Sequence, residues 1–506
     1  MHIDIHRHSD TSLSNQIYFS IIDHIQSGLL QQGEKLPTVR DLAKQLNVSL
    51  VTAAKAYTRL KDDGYLKTVQ GKGTFVDEQQ EQAEIPVPSS TSFDWQLSIP
   101  VPSSTSFDWQ LSIPDYLPRS QFAQYHYVEE AINLSSSMID PGLLPNRYLE
   151  KEMQHVLARH PQIMSKYGEI QGDLQLRQVI QSFLEKLDVP STPENILVTS
   201  GSQQGLDLVA RTFIGPDDVV VMEAPTYPGA IDVFMGRGAR IITVPVDHEG
   251  MNMKQLQSIC DKYKPKLIYT IPTFHSPTGA SMSMKRRKQL LLLAQSIDCL
   301  IVEDDPYREL YFEKKPPAPI KSLDHDGHVI YLRGLSKTLA PGCRIGIITA
   351  SGSIFNRLLA AKANNDLGSP LLTQKAILPF LTSKKMIDHT KKLRTALKVR
   401  RDLMMDVLTK HAPKDVTWQI PQGGLNLWLS FPSWVDTRAL LHEARKQQIT
   451  FLPGSVCYPG EPKQNYIRLS FSYVNEKALT EGVKKLCDIF QQALSTPQNQ
   501  KQSLFF

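Results

Sequence analysis

The chain has 506 residues, of which 41% are hydrophobic and 21% charged, and its formal net charge is +5 at pH 7. Two or more domains are expected at this length, and the composition is that of a soluble globular protein whose apolar runs are too short to cross a membrane. The small net charge neither requires nor excludes a nucleic-acid partner, so such a partner must be inferred from motifs.

The amino terminus and the cysteines both favour a cytoplasmic protein. The first residues, among them His2, His6 and His8, contain no apolar stretch of the kind that a secretory signal requires. The five cysteines are odd in number and never spaced as a CxxC pair, so reduced thiols are expected. The three histidines can be metal ligands, but no second ligand cluster accompanies them. We interpret them as a solvated terminus and expect no metal site.

Composition divides the chain into four segments. Residues 1–76 predict a compact domain, and residues 77–120 are rich in Glu, Gln, Pro, Ser and Thr, which predicts an extended linker. Residues 121–494 alternate between β-type and helical patterns and predict a second, larger domain. Residues 495–506 form a polar tail.

The linker contains a tandem 14-residue repeat, because residues 85–98 recur unchanged as residues 99–112. Trp95 and Trp109 occupy the same position in the two copies. Two interpretations stay open, a duplicated spacer and a pair of docking anchors, and we favour the spacer.

Two short helices joined by a turn are predicted in the first domain. Thr38 and Asp41 stand in the T-x-x-D relation of a capping box, so a helix should begin at Val39. After a turn, Ser49 can cap a second helix. The apolar residues of that helix recur at i, i+4 and i+7 and are Ala53, Tyr57 and Leu60.

A two-stranded wing is predicted after these helices. Residues 65–76 are rich in β-forming residues and contain Gly71 and Gly73, which permit a tight turn. The first domain is therefore predicted to be a winged helix-turn-helix, mostly α with a β wing.

This domain resembles the GntR family of bacterial regulators through the motifs GEKLPTVRDLAKQLNVS, AYTRLKDDGYL and GKGTFV, within residues 33–76. The resemblance implies that the second helix enters the major groove of double-stranded DNA, while the wing and the first helix hold neighbouring DNA. Leu50 stands where the family often has arginine, so bidentate reading of guanine is lost there. The alternative, a protein-interaction domain that no longer binds DNA, stays open. The positions placed at the DNA are Arg40, Ser49, Thr52, Gln70, Gly71 and Lys72.

A mostly parallel sheet covered by helices is predicted for the second domain, because short β-rich runs alternate with helical patterns from Tyr167 onward. Open α/β sheets bind ligands where such strands end. At one strand end, residues 200–203 (SGSQ) open a helix whose amino end can receive a phosphate. The predicted strands are residues 196–199, 219–222, 266–271, 300–303 and 329–332.

The strongest chemical signal is Ser336-Lys337, followed by a loop that contains Arg344. A lysine at a sheet edge can form a Schiff base with an aldehyde cofactor, and a nearby arginine can bind the phosphate of that cofactor. The run EDDPY at residues 303–307 supplies a carboxylate for a pyridine nitrogen, Asp304, and a phenol for a ring hydroxyl, Tyr307.

These motifs resemble fold type I aminotransferases over residues 167–471, an α/β PLP-dependent transferase fold with a small α+β carboxy-terminal subdomain. The resemblance implies pyridoxal 5′-phosphate as cofactor, Lys337 as the aldimine lysine and a homodimer. It makes Asp304 the pyridinium partner and Tyr307 the ring-hydroxyl partner. Arg468, in YIRLSF, matches the arginine that holds a substrate carboxylate. The other cofactor residues that it implies are Ser202, Gln203, Ser336 and Arg344 at the phosphate, Tyr227 stacked on the ring, and Tyr167 at the phosphate of a neighbouring subunit.

Two residues depart from the aminotransferase pattern. Ser276 replaces the asparagine of the NPTG turn, so its contact with the ring hydroxyl is expected to be lost or weakened. Gly334 stands where serine or threonine is common, which removes one phosphate hydroxyl. His275, beside the turn, can act as an acid or base, although we favour a structural role.

A GntR-like domain, a linker and an aminotransferase-like domain together form the multidomain architecture of MocR/GabR-type regulators. The resemblance implies that an amino acid or related amine exchanges with Lys337 in the aldimine and thereby alters DNA binding, with turnover absent or vestigial. Two alternatives stay open: an active aminotransferase with a DNA-binding appendage, and a regulator that senses pyridoxal phosphate itself.

Overall fold

In the computed structural model, the chain divides into two compact units, Met1–Tyr116 and Leu117–Phe506. The structure describes residues 12–26, 30, 31, 33–69, 72–77 and 132–495. Among these residues, no helix is long and apolar enough to cross a membrane, and no group of His, Cys, Asp and Glu side chains could hold a metal ion. The amino-terminal histidines, the tandem repeat with Trp95 and Trp109, the polar tail beyond residue 495, Gln70 and Gly71 lie outside the described residues.

The first unit contains the predicted winged helix-turn-helix. Thr38 accepts a hydrogen bond from the Asp41 amide at 3.2 Å, and Ser49 accepts one from the Thr52 amide at 3.1 Å, so each predicted cap begins its helix. No motif in the sequence predicts the first helix, Leu13–Gln26, whose Ile17 is fully buried. The elements are α1 (Leu13–Gln26), α2 (Val39–Gln45), α3 (Leu50–Asp62), β1 (Leu66–Val69) and β2 (Gly73–Val76), and the two strands pair antiparallel.

The second unit is built on an eight-stranded sheet in the order β4-β11-β10-β9-β8-β5-β6-β7. The pairs β10·β9, β9·β8, β8·β5 and β5·β6 are parallel, while β11 and β7 pair antiparallel with their neighbours. The predicted mostly parallel sheet is confirmed, with slightly shifted strand ends. These strands are β4 (Ile196–Thr199), β5 (Val219–Ala224), β6 (Arg240–Asp247), β7 (Gly250–Met251), β8 (Leu267–Thr270), β9 (Leu300–Asp304), β10 (Val329–Gly334) and β11 (Gly346–Thr349).

Helices cover this sheet and continue into the carboxy-terminal part of the unit. They are α4 (Asn146–Arg159), α5 (Leu174–Glu185), α6 (Ser202–Phe213), α7 (Pro228–Met235), α8 (Met253–Tyr263), α9 (Met284–Ser296), α10 (Gly352–Asn365), α11 (Leu371–Leu381), α12 (Lys384–His411), α13 (Thr437–Lys446) and α14 (Glu476–Ser495). Short 3-10 helices lie at Pro141–Leu143, Ile163–Ser165, Pro193–Asn195, Ile320–Leu323, Pro341–Cys343 and Gly454–Cys457.

A second, four-stranded sheet in the order β12-β13-β16-β15 packs with α12, α13 and α14 and forms the predicted small α+β subdomain. A short strand near residue 132 joins it, because β3 pairs in parallel with β14 and the adjacent Leu134 is fully buried in the same core. The described residues of the second unit therefore begin in this subdomain. The remaining strands are β3 (Ile132–Asn133), β12 (Thr417–Trp418), β13 (Asn426–Ser430), β14 (Ile449–Thr450), β15 (Leu452–Pro453) and β16 (Tyr466–Ser470).

Strand direction determines where polar side chains collect. Strands β4, β5, β8, β9 and β10 run the same way, so their carboxyl ends meet at one edge of the large sheet. At that edge β9 ends at Asp304, β10 ends at Gly334, and the loop after β4 leads into α6.

Candidate functional site

A cavity of about 430 Å³ lies at this edge of the sheet. Its volume falls within the range that small-molecule sites occupy. The structure brings together every predicted cofactor residue except Tyr167. These lining residues are Ser202, Gln203, Tyr227, Ser276, Asp304, Tyr307, Ser336, Lys337 and Arg344, and Arg468 lines the same cavity.

One end of the cavity is suited to an anion. Helix α6 begins there at Ser202, and Arg344 donates a hydrogen bond to the Ser200 carbonyl at 2.8 Å. Gly201 has φ of +90°, and a Cβ atom on it would lie 2.6 Å from Nη2 of Arg344, so glycine is needed for this approach. Arg344 itself has φ of +52°, a costly conformation that the surrounding structure imposes. A helix amino end beside a guanidinium group can hold a phosphate.

The glycine at position 334 has a structural explanation at this same end. A Cβ atom on Gly334 would lie 3.3 Å from Oγ of Ser202, closer than ordinary van der Waals contact. The hydroxyl group of Ser202 therefore occupies the space that a side chain at position 334 would need.

The wall of the cavity also contains a buried carboxylate, of which only one oxygen has a hydrogen-bond partner among the described residues. Oδ2 of Asp304 accepts a hydrogen bond from the Tyr269 hydroxyl at 2.9 Å, whereas Oδ1 has no hydrogen-bond partner among the described residues. Burial raises the pKa of Asp304 to about 7, although the hydrogen bond from Tyr269 acts in the opposite direction and lowers this pKa. An unpartnered buried oxygen is costly, and the protonated nitrogen of a pyridine ring would satisfy it. The residues present therefore fit pyridoxal phosphate.

Lys337 lines the same cavity. Its Nζ donates a hydrogen bond to the Ser137 carbonyl at 2.7 Å. Burial, with smaller contributions from the charges of Arg468 and Arg344, lowers the pKa of Lys337 to about 8. A lysine with a lowered pKa has a larger neutral fraction near neutral pH, and only the neutral amine can attack an aldehyde.

Two tyrosines and their partners form another part of the wall. The Tyr227 hydroxyl donates to Oε1 of Gln203 at 3.1 Å. Burial raises the pKa of the Tyr307 phenol, so this group stays protonated at neutral pH and can donate a hydrogen bond, with Ser276 acting on the pKa in the opposite direction. Ser276 thus places a hydroxyl beside Tyr307, where the aminotransferase pattern has an amide.

Arg468 is 4% exposed and approaches the cavity from β16. One of its Nη atoms donates to the Ser135 carbonyl, but Nε has no hydrogen-bond partner among the described residues. Burial lowers the pKa of Arg468, and no carboxylate among the charges acting on it compensates. A buried guanidinium with an unused donor is suited to a ligand carboxylate.

Sequence reasoning missed one segment of the site. Ser136, Ser137 and Met138 line the cavity, and no motif marks them. The segment is held by Asn133, whose side-chain oxygen accepts hydrogen bonds from the amides of Ser135 and Ser136. The Ser137 hydroxyl also donates to Oδ1 of Asn426 at 2.6 Å. The only sequence signal is the Asn-Leu-Ser-Ser-Ser run, which is typical of a side-chain-capped turn.

Two further predicted residues lie away from the cavity wall. Tyr167 is 81% exposed, so its contact with a neighbouring subunit's phosphate stays a prediction. His275 is 2% exposed, and its ring nitrogens lie 2.9 Å from Oγ1 of Thr278 and 3.2 Å from a carboxylate oxygen of Glu223. These contacts hold the turn at residues 276–279 and support the structural interpretation of His275.

Four of the predicted DNA-contacting residues are described by the structure, and they lie at helix starts and between the wing strands. Arg40 is exposed in the first turn of α2, and Lys72 is exposed between the two wing strands. Ser49 caps α3 and its hydroxyl lies 2.8 Å from the Thr52 hydroxyl. Their contacts with DNA stay predictions.

Comparisons with known proteins match both parts of the chain. Residues 129–486 match the family "Aminotransferase class I and II", and residues 13–76 match "Bacterial regulatory proteins, gntR family". The uncharacterized HTH-type transcriptional regulator YisV of Bacillus subtilis is 32% identical over 479 residues, covering 94% of this chain and 96% of that protein. Aromatic-amino-acid aminotransferase 1 of Thermococcus litoralis is 36% identical over 371 residues, covering 72% of this chain and 89% of that protein.

A solved aminotransferase structure shares the fold of this chain. The crystal structure of Pyrococcus horikoshii kynurenine aminotransferase, in complex with PMP, superposes with a TM-score of 0.72 at 32% identity, over 77% of this chain and 98% of that one. Aminotransferases of class I and II use pyridoxal phosphate, which is accordingly the cofactor of this chain.

Proposed function

Because the chain belongs to the aminotransferase class I and II family and carries a GntR-family helix-turn-helix, we propose that it is a homodimeric transcription regulator that senses an amino acid or related amine at Lys337. In this proposal, occupation of the cavity changes the affinity of the first unit for a double-stranded DNA operator. The observation that carries the proposal is that Lys337 and Arg468 line one cavity and both donate to carbonyls of one short segment, Ser135–Ser137.

Pyridoxal phosphate, when bound, supplies an aldehyde that condenses reversibly with primary amines. The residues of the chain would hold the cofactor at three points. Arg344 and the amino end of α6 would bind the phosphate. Asp304 would keep a proton on the pyridine nitrogen through its unpartnered Oδ1, and Lys337 would provide the amine with which an effector competes.

The Arg468 side chain would select effectors that also carry a carboxylate. Its planar guanidinium can bind a carboxylate through two donors, and Nε is already buried without a partner. The second donor is an Nη atom that would leave the Ser135 carbonyl. An amino acid therefore matches both Lys337 and Arg468, whereas a simple amine matches Lys337 alone.

The segment Ser135–Ser137 would carry the signal toward the DNA-binding unit. An amine that takes the place of Lys337 frees its Nζ to bind the Ser137 carbonyl, while a carboxylate on Arg468 removes the bond to the Ser135 carbonyl. The same effector thus changes two anchors of a segment that follows directly after β3, with which the described part of the second unit begins. In this proposal the change in anchorage is the event that alters DNA binding.

The direct test is DNA binding by the full-length, cofactor-loaded protein to its own upstream region, with and without a panel of amino acids. The proposal expects one amino acid to shift DNA affinity, and its carboxylate-free analogue to have no effect at the same concentration. If no amine changes DNA affinity, whereas a titration with pyridoxal phosphate alone does, the protein senses the cofactor itself.

A second candidate function is an active aminotransferase with a DNA-binding appendage. It is favoured by the 36% identity to a protein named as an aromatic-amino-acid aminotransferase and by the nine predicted cofactor residues that line the cavity. Repeated turnover with an amino donor and a keto acid would support it, and a single conversion without turnover would favour the regulator.

A further inference from the structure

Helix α3 exposes two adjacent apolar side chains at its amino end. Leu50 is 49% exposed and Val51 is 77% exposed, although both follow directly on the Ser49 cap. The buried apolar side chains that hold α3 in the domain are Ala53, Ala56, Tyr57 and Leu60. Val51 lies on the opposite face of the helix, whereas Leu50, three residues before Ala53, borders the buried face. Neither Leu50 nor Val51 belongs to the hydrophobic core of the first unit.

The exposed cations of the first unit favour a polyanionic partner. Arg40, Lys44, Lys55 and Lys72 are all exposed in the same small domain, on α2, on α3 and between the wing strands. Exposed lysine and arginine side chains neutralise phosphates and release counterions. A helix amino end that presents apolar groups, in a domain that exposes such cations, is suited to the major groove of duplex DNA.

We propose that Leu50 and Val51 select operator sequence by contacting the C5-methyl groups of thymines in the major groove. This inference rests on the proposed function, in which the first unit binds DNA. Thymine alone among the four bases presents a methyl group in that groove, while guanine and adenine are read through hydrogen bonds. Neither Leu50 nor Val51 can form such bonds, so apolar contact is the only direct readout open to them.

The test removes only the methyl groups. The full-length, cofactor-loaded protein first selects its preferred duplexes from a random-sequence pool, and each thymine of the best duplex is then replaced by deoxyuridine in turn. We expect about fourfold weaker binding for each contacted methyl group that is removed, at a few adjacent positions in each half-site. Deoxyuridine at the other thymine positions should leave the affinity of the protein for the duplex unchanged.

Variants connect this effect to the two residues. Leu50→Ser and Val51→Ser should each bind the thymine and uridine duplexes equally at the positions that they contact. Leu50→Arg should move the selected sequence toward guanine at its position, because arginine pairs with two acceptors of that base. Phe19→Ser is the matched control, because Phe19 lies on α1 and is 51% exposed. The control should keep the wild-type discrimination.

The outcomes separate this inference from the proposed function. Selected duplexes that bind equally with thymine and uridine at every position would overturn the inference and leave DNA binding intact. Discrimination that survives in both Leu50→Ser and Val51→Ser would overturn it as well. If the protein selects no duplex from the pool, the proposed function fails and this inference fails with it.

Discussion

Replacing Arg468 by alanine should weaken the response to an amino-acid effector by about 10- to 150-fold. The guanidinium is buried with Nε unpartnered, so a carboxylate that binds it satisfies a donor that is otherwise left without a hydrogen bond. The Nη atom exchanges the Ser135 carbonyl for the ligand and contributes little net free energy. The expected loss is therefore that of about one charge-assisted hydrogen bond, roughly 1.5 to 3 kcal/mol.

The assay measures the effector concentration that produces half of the change in DNA affinity, for wild type and variant. Arg468→Lys is the informative second variant, because its ammonium can still donate to the Ser135 carbonyl but cannot bind a carboxylate through two planar donors. It should fall between wild type and alanine. Both variants should keep the visible absorbance of the bound cofactor. A variant that responds at the wild-type concentration, or carboxylate-free amines that work equally well, would refute the reasoning.

Four further predictions follow from the same contacts. Lys337→Ala should abolish the visible absorbance of the cofactor and the borohydride-stable mass increase on the protein; a linkage that persists would refute the lysine assignment. Asp304→Asn should raise the melting temperature of the cofactor-free protein at pH 7.5 and weaken cofactor binding. The melting temperature rises because burial raises the pKa of Asp304 to about 7 in the folded protein, so the folded state holds a proton that the unfolded state releases near pH 4. The free energy of unfolding of the wild type therefore falls as pH rises from about 4 through 7. Asparagine does not titrate and so does not lose this stability. Unchanged melting on thermal scans of both proteins would contradict it. Arg40→Ala and Lys72→Ala should each lower the slope of log affinity against log salt by about 0.9, and unaltered slopes would remove both from the DNA interface. Deleting residues 99–112 should leave cofactor loading intact, whereas loss of loaded protein would show that the repeat is structural.

The sequence was most informative where one short run both ends a strand and carries the chemistry. Asp304 is the last residue of β9, and Lys337 and Arg344 follow β10 within a single loop, so local patterns were enough to place them at one sheet edge. The caps of α2 and α3 were predictable for the same reason, since Thr38 and Ser49 bond amides only three residues away.

Contacts between distant segments were not predictable in this way. Ser137 and Asn426 are joined by a hydrogen bond although they lie 289 residues apart in the chain. The segment that contains Ser137 reaches the cavity because β3 pairs with β14, a register that no local pattern of two residues can specify. The unpartnered Nε of Arg468 depends on this packing too.

The central claim is that occupation of one cavity by an amino acid controls DNA binding through Lys337. The measurement that tests it most directly is the DNA affinity of the cofactor-loaded protein, titrated with the effector found in the panel, for wild type and for Lys337→Ala supplied with excess cofactor. A wild-type affinity that changes with effector while the variant stays constant is the predicted result. An effector response of equal size in Lys337→Ala would contradict the claim.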